Sequence, residues 1–444
     1  MNIEAGARPA GWQSAAGSPA WQRLQPATDA VRRAVGPKAL LIGFLLVLGT
    51  AMVLRRPDAV VHPQFWAEDG RLWFADAYND GPWAPLAHPV VGYLQTISRM
   101  AGALALPFGL DRAPLLFSVL ALFLQFLPTM LIVTFRFSHV IPSRATRWLL
   151  AAVYIALPNS EIHGNVTNAQ WHLALTALLV LVAAPSRSQA WRVFDAAVLL
   201  LSGLSGPFVL LLAPVALLRW RRSRQPWDMA MVALTGGLAL LQGAVALGTS
   251  SGRSHEALGA GLVPAVRMMS DRIVAPALLG QENTALYSQT VNHGLVLAII
   301  VTALAGGLLL ISLLKGPWAL TMLNGFSFLT LLLALARPQV SDVLPQWPLM
   351  AGTTAGDRYF FLPMVAWAST VVWAVSTLRR PWRTVAGVAL SVLFCAGAAV
   401  HWQYAAYSDM HPSAYAERFK AAPAGTRVDI PINPPGWTMP LTKR

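Results

Sequence analysis

Charge is what this chain has least of. Only 12% of its 444 residues are Asp, Glu, Lys or Arg, against 55% that are hydrophobic. A soluble chain carries about 25% charged residues, so this one cannot cover a globular surface of its size. A soluble enzyme is excluded, and an integral membrane protein is expected. Cysteine is nearly missing as well. The single Cys395 lies inside an apolar run, which excludes a disulfide scaffold. The chain also lacks a phosphate-binding Gly loop, a nucleophile-elbow serine, a CxxC pair and an evident internal repeat. Apolar length and positive charge are plentiful instead, with a formal net charge of +14. Where that charge lies decides what it means.

Residues 1–38 are polar and rich in Ala, Gly, Pro and Arg, and read as a disordered cytoplasmic arm. The first apolar run, Ala39–Leu54, is followed by Arg55 and Arg56 where a signal peptide needs small residues, so it reads as an uncleaved anchor. Further apolar runs lie at about 113–135, 147–158, 169–184, 193–204, 206–219, 228–248, 294–314, 317–336, 360–378 and 384–402. Segment 90–109 is long enough to span but carries Gln95 and Arg99 at mid-depth, where Arg costs ~2.5 kcal/mol or more. Segment 193–219 is interrupted by Ser202-Gly203-Leu204-Ser205-Gly206-Pro207, and Pro beside Gly breaks a helix. Keeping 90–109 out of the span count and splitting 193–219 gives about eleven transmembrane helices. The inner segments then hold 18 of the 33 Lys and Arg but only 4 of the 19 acids, while the outer ones are neutral. The positive-inside rule favours this arrangement, and the basic balance is a topology signal with no nucleic acid behind it. The expected fold is an all-α integral membrane protein. A transmembrane domain at 39–402 would carry a large first outer loop at 55–108 with surface helices, and a second outer loop at 249–293. An outer tail would follow at 403–444. Asp195 and Asp228 read as helix N-caps, and apolar residues at helical spacing over 262–279 predict an amphipathic helix lying on the membrane surface.

Polar residues gather on the outer face. The first loop sets Asp58, Glu68, Asp69, Asp76 and Asp80 among Phe65, Trp66, Trp73, Phe74, Tyr78, Trp83 and Tyr93. Aromatics at that density suit a membrane interface, so an interfacial collar with solvated acids accounts for most of them. It accounts least well for Trp66-Ala67-Glu68-Asp69-Gly70, where two adjacent carboxylates repel beside an aromatic wall and Gly70 permits a sharp turn. Such a pair suits a general base or a hard divalent cation, Mg or Mn; a capped turn is the other reading. A short loop, Asn159 to His172, contributes Glu161, His163, Asn165 and His172 as candidate sugar or metal contacts, although helix capping explains much of its polarity and no standard zinc spacing is present. Arg358-Tyr359, entering a late span, can grip a phosphate at headgroup level or simply snorkel.

Taken in order along the chain, these elements resemble the GT-C superfamily of polytopic glycosyltransferases, distantly similar to aminoarabinose transferases and protein O-mannosyltransferases. Glu68-Asp69 resembles the acidic pair of the family's first outer loop. His88-Pro89-Val90-Val91-Gly92-Tyr93-Leu94 resembles its His-Pro element, Ser205-Gly206-Pro207 its meeting of two short helices, and Arg358-Tyr359 its late Arg-Tyr pair. The chain departs from the pattern in lacking a large C-terminal outer domain and a second acidic pair near Glu161. The resemblance implies a bacterial inner-membrane enzyme that moves a sugar from a polyprenyl-phosphate donor to an envelope glycan, lipid or protein acceptor, with inversion. Asp69 or Glu68 would be the base, Arg358, His88 and Tyr359 would meet the donor phosphate, and a divalent cation is left open. A lipid-linked sugar flippase or transporter and a membrane acyltransferase are the alternatives.

Overall fold

The computed structural model describes residues 36–249, 256–280 and 293–444. The arm at 1–38 lies almost wholly outside them, as do residues 250–255 and 281–292 of the second loop. Helices make up most of the molecule. Among the described residues, seven helical segments are long and apolar enough to cross a membrane: α1 (Pro37–Leu54), the segment Thr96–Val133 that contains α2 (Thr96–Ala105) and α3 (Gly109–Val133), α8 (Pro226–Gly248), Gly294–Lys315 within α10 (His293–Lys315), α11 (Trp318–Ala336), the segment Asp357–Thr377 that contains α12 (Phe361–Thr377), and α13 (Trp382–Val400). Between them stand α4 (Arg144–Ala156), α5 (Ala169–Val182), α6 (Gln189–Leu204) and α7 (Val209–Ser223). At 13 to 16 residues these reach roughly 20–24 Å at 1.5 Å per residue, short of the ~30 Å hydrocarbon thickness. Every residue of α5 is buried, so it is the central post of the bundle and meets protein on all sides.

The chain order gives the bundle two ends. At one end the carboxylate of Asp195 receives both Nη atoms of Arg136, at 2.6 and 2.9 Å, and Asp228 takes Arg219 Nε at 2.9 Å. Arg219 also donates to the carbonyls of Leu181 and Ala183, which satisfies the free C-terminus of α5. These aspartates are therefore ion-pair partners that tie neighbouring helices together. The N-cap expectation is corrected: Ser188 caps α6, and Asp195 sits two turns inside it.

At the other end the break between α6 and α7 is filled by the first turn of α2 and the chain just before it. Ser205 Oγ accepts from the amide of Ile97 at 3.0 Å, and Gln242 of α8 bridges Gly203 O and the amide of Leu94. α2 itself is a short helix with one buried face. It lies so close to the turn at 69–74 that a Cβ on Gly102 would fall 2.0 Å from Trp73 O. Arg99, awkward inside a span, pairs here with Asp76 at 2.6 Å.

Two expectations are corrected at this end. The 262–279 segment does not lie on the surface. α9 (Leu262–Met269) exposes only its first turn, and Ser270 to Val274 are buried against α10 and α12. Arg272 explains the difference, since it pairs with Asp357 and bonds Met350 O inside the protein. The fold is also not purely helical. The tail forms α14 (Pro412–Ala421) and an antiparallel hairpin of β1 (Arg427–Ile432) and β2 (Trp437–Thr442), with Val428, Ile430 and Ile432 facing a second apolar core under the first loop.

Candidate active site

The Trp66–Gly70 turn is built by two long-range partners. Asn433, just past β1, receives Ala67 N–H and donates its own amide to Phe65 O at 3.1 Å. The tail thereby clamps the turn in a conformation where Ala67, a residue with a Cβ, sits at φ +43°. Strain of that kind persists only where the surroundings over-determine it, and it concentrates at functional sites. Gly70 has a different task from the one expected of it. A Cβ there would lie 2.9 Å from Phe65 Cβ and 3.0 Å from Ile432 Cδ1, so glycine is needed to let the hairpin dock.

Asp69 and Glu68 then diverge. Asp69 is 2% exposed and accepts three hydrogen bonds: Val166 N–H at 3.0 Å, Thr167 N–H at 2.8 Å and Thr167 Oγ1 at 2.8 Å. Trp73 Nε1 donates to the same hydroxyl at 2.9 Å. Burial pushes the Asp69 carboxyl up to about 7, against the pull of those hydrogen bonds and helped by the neighbouring Glu68 charge. Glu68 is half-buried and is bonded only by its own backbone amide. Burial raises its pKa. The charges of Arg358 and Arg71 oppose the shift, and that of Glu161 adds to it. Glu68 is thus the carboxylate of the pair whose oxygens remain open to a ligand.

The loop between α4 and α5 supplies the facing wall. Asn159 Nδ2 donates to Asp357 O, Asn165 Nδ2 to Glu161 O at 2.7 Å, and Asn165 Oδ1 accepts from Asn168 N–H, so the buried asparagines hold a tight non-helical turn. That turn presents Glu161 to Arg358, whose amide donates to it at 2.9 Å and whose guanidinium forms an ion pair with it. Arg358 Nη2 reaches Gln339 O and, at 3.2 Å, the Tyr359 hydroxyl. Residues nearly 200 positions apart in sequence therefore meet within electrostatic reach of Glu68.

Several expected contacts are placed otherwise. Asn165 is a scaffold residue, bonded as above. His172 is a satisfied core histidine inside α5: Nδ1 lies 2.8 Å from Tyr154 Oη and Nε2 3.3 Å from Ile162 O, so it is unsuited to a sugar or a metal. His88 is exposed, without a side-chain hydrogen bond, and nothing ties it to the cluster. His163 lies fully buried behind Glu161, with Nδ1 3.1 Å from Gln125 Nε2. Burial and the charges of Arg56 and Arg55 hold it neutral, well below the usual histidine range. Among the described residues no three His, Cys, Asp or Glu side chains gather into a metal-ligand set. Asp69 is committed to Thr167 and Val166, and Glu161 to Arg358, so the donor set does not fit Mg or Mn. Composition and motif order do not point to Thr167, Gln339, Asn433 or the tail tyrosines Tyr404 and Tyr407; the Arg55-Arg56 doublet is visible in the sequence, where it marks only the end of the first apolar run. The chain matches no family model, no curated protein and no solved structure.

Proposed function

We propose that the protein is a membrane glycosyltransferase that transfers a sugar from a polyprenyl phosphate to a hydroxyl of an envelope glycan, lipid or protein. The observation that carries this reading is Glu68: a half-buried carboxylate without a hydrogen bond from another residue, held on a strained turn and facing the Glu161–Arg358 pair among aromatic walls. In the reaction the acceptor oxygen attacks the anomeric carbon and its proton passes to Glu68. The bond from that carbon to the phosphate oxygen breaks, and its electron pair leaves with the lipid phosphate. One displacement inverts the anomeric centre, and a phosphate needs no acid to depart. Asp69 is a positioning residue that locks the turn to the α4–α5 loop. The engaged oxygens of Asp69 support Glu68 as the base, since a base must first be within reach of the proton it takes.

In this reading all eleven helices cross the bacterial inner membrane, the four short ones sheltered by protein or tilted. The N-terminus is cytoplasmic, and the site and tail face outward. The helix break favours the enzyme over a flippase, since Gln242 and the 94–97 segment fill it. An acyltransferase histidine finds little support in His172, buried and bonded as it is.

The test is transfer by purified full-length protein in lipid, given radiolabelled polyprenyl-phosphate sugars and a crude envelope extract. Glu68→Gln should lower the rate by roughly 10²-fold or more, the scale of a positioned general base, while the folded yield is unchanged. Absence of transfer from every donor, in protein that melts cooperatively, overturns the proposal.

A further inference from the structure

Buried guanidiniums in this molecule come with carboxylates. Arg99 has Asp76, Arg136 has Asp195, Arg219 has Asp228 and Arg272 has Asp357. Arg55 and Arg56 break the pattern. They are 1% and 5% exposed, adjacent in sequence, and neither has a carboxylate within ion-pair distance among the described residues. Asp58, the nearest acid in sequence, is bonded to the Tyr407 amide at 2.7 Å. Arg147 also lacks a carboxylate and a partner for its Nε, but it sits at the opposite end of the bundle, where it bonds Ile141 O.

The surroundings of the doublet supply part of what two buried cations need. Arg55 Nη1 donates to Ile155 O at 2.7 Å, and Arg56 Nη1 reaches Ser160 O, His163 O and the Tyr407 hydroxyl at 3.3 to 3.4 Å. Both guanidiniums lie against the Tyr404 ring, 4.4 and 5.5 Å from its centroid; Tyr407 and Trp66 flank Arg56, and Trp402 flanks Arg55. All of these hydrogen bonds leave from Nη1, and both Nε atoms are buried without a partner. A third orphan adjoins them. The His163 ring is 5.1 Å from the same Tyr404 ring, and with Nδ1 accepting from Gln125, its unpartnered Nε2 carries the hydrogen. Carbonyls and ring faces soften the burial of a cation but do not neutralise two side by side.

We propose that Arg55, Arg56 and His163 bind the phosphate group of a lipid-linked ligand. Two forked guanidiniums and one N–H donor match a tetrahedral oxyanion carrying up to two charges. The doublet directly follows the 18-residue apolar α1, which sets it at the depth of lipid phosphates, and Trp66, Trp402, Tyr404 and Tyr407 form an interfacial belt around it. The site adjoins Glu161, since Arg56 bonds the carbonyls of Ser160 and His163 on either side of it. It takes over the phosphate role for which Arg358, already balanced by Glu161, is poorly placed. This assignment deepens the glycosyltransferase reading and rests on it for the identity of the ligand, but not for the existence of the site.

The experiment is isothermal titration of full-length protein in phosphate-free maltoside micelles with geranyl phosphate, inorganic phosphate and phosphatidylglycerol in separate arms. Geranyl phosphate should bind, with affinity at least tenfold weaker in Arg55→Gln and Arg56→Gln and within twofold of wild type in Arg147→Gln. Inorganic phosphate binding with equal affinity would overturn the lipid-linked assignment in favour of a free anion, and binding of phosphatidylglycerol alone would overturn it in favour of a bilayer headgroup. Should the glutamine variants fail to fold, Arg56→Lys, which keeps the charge and loses the fork, should still weaken binding. Unchanged affinity in that variant, or no binding of any ligand to wild type, overturns the site. Binding with no sugar transfer defeats the enzyme reading alone; transfer without binding defeats this one alone.

Discussion

Asp69 accepts from Val166 and Thr167 while Glu68, one residue away, bonds only to its own amide, and the two should respond differently to loss of charge. Asp69→Asn leaves one oxygen for two backbone N–H donors that both point inward. One of them loses its acceptor, which costs about 1–3 kcal/mol. The pH dependence separates the residues further. The Asp69 carboxyl is raised from 3.8 to about 7 on folding, so between those values the folded state binds more protons than the unfolded chain. Stability is then greatest below about pH 4 and falls as the pH rises through 7. Calorimetric melts from pH 4 to 8 should show that fall in the wild type and a flatter profile in Asp69→Asn. An unchanged slope in the variant would show that another group carries it. The acidic pair was legible in the sequence, but which member stays open was not, because Thr167 lies 98 residues away and donates through its backbone as well as its hydroxyl.

Close approach of backbones is what the elements around the site depend on. α2 touches the 69–74 turn at Gly102, so Gly102→Ala must push the helix off Trp73 O and should cost about 1–3 kcal/mol in thermal or denaturant unfolding. Gly236→Ala in α8, where nothing lies within 4 Å, should be neutral or slightly stabilising in the same measurement. The tail acts through Asn433, whose side chain bonds Ser408 N–H at 3.0 Å and Ser408 O at 2.9 Å while its backbone grips Phe65 and Ala67. Asn433→Ala should loosen that clamp, and hydrogen exchange at the Ala67 amide should accelerate about tenfold, the equivalent of ~1.4 kcal/mol of a lost side-chain bond. The segment 90–109 shows what sequence reading leaves out: Arg99 at mid-depth was visible, but its partner Asp76, 23 residues earlier, was not, because only packing of α2 on the neighbouring elements brings the two together.

At the scale of the whole molecule, charge and helix order point the same way. Arg136, Arg219 and Lys315 fall at one end of the bundle, and Glu68, Glu161 and Arg358 at the other. Cysteines placed at exposed His62 and His139, with Cys395 changed to Ser, should therefore react oppositely with an impermeant maleimide in intact cells: position 62 labelled, position 139 protected. Equal labelling would remove the eleven-span topology. By itself the sequence determined that the protein is helical and membrane-embedded, where most of its helices run, and where the α6–α7 break and the acidic turn fall, because apolar length, proline and charge asymmetry act locally. It misplaced the 262–279 helix, since an amphipathic face does not say whether it meets lipid or protein, and Arg272 needed Asp357, 85 residues on, to be buried. The prolines and glycine of the tail read as extended and turned, but they do not say which strands pair. Tertiary structure alone decided which polar groups are engaged and which are free. That depends on partners brought together across the bundle: His172 is satisfied by Tyr154 and Ile162 and Arg358 by Glu161, while the Nε atoms of Arg55 and Arg56 find no partner.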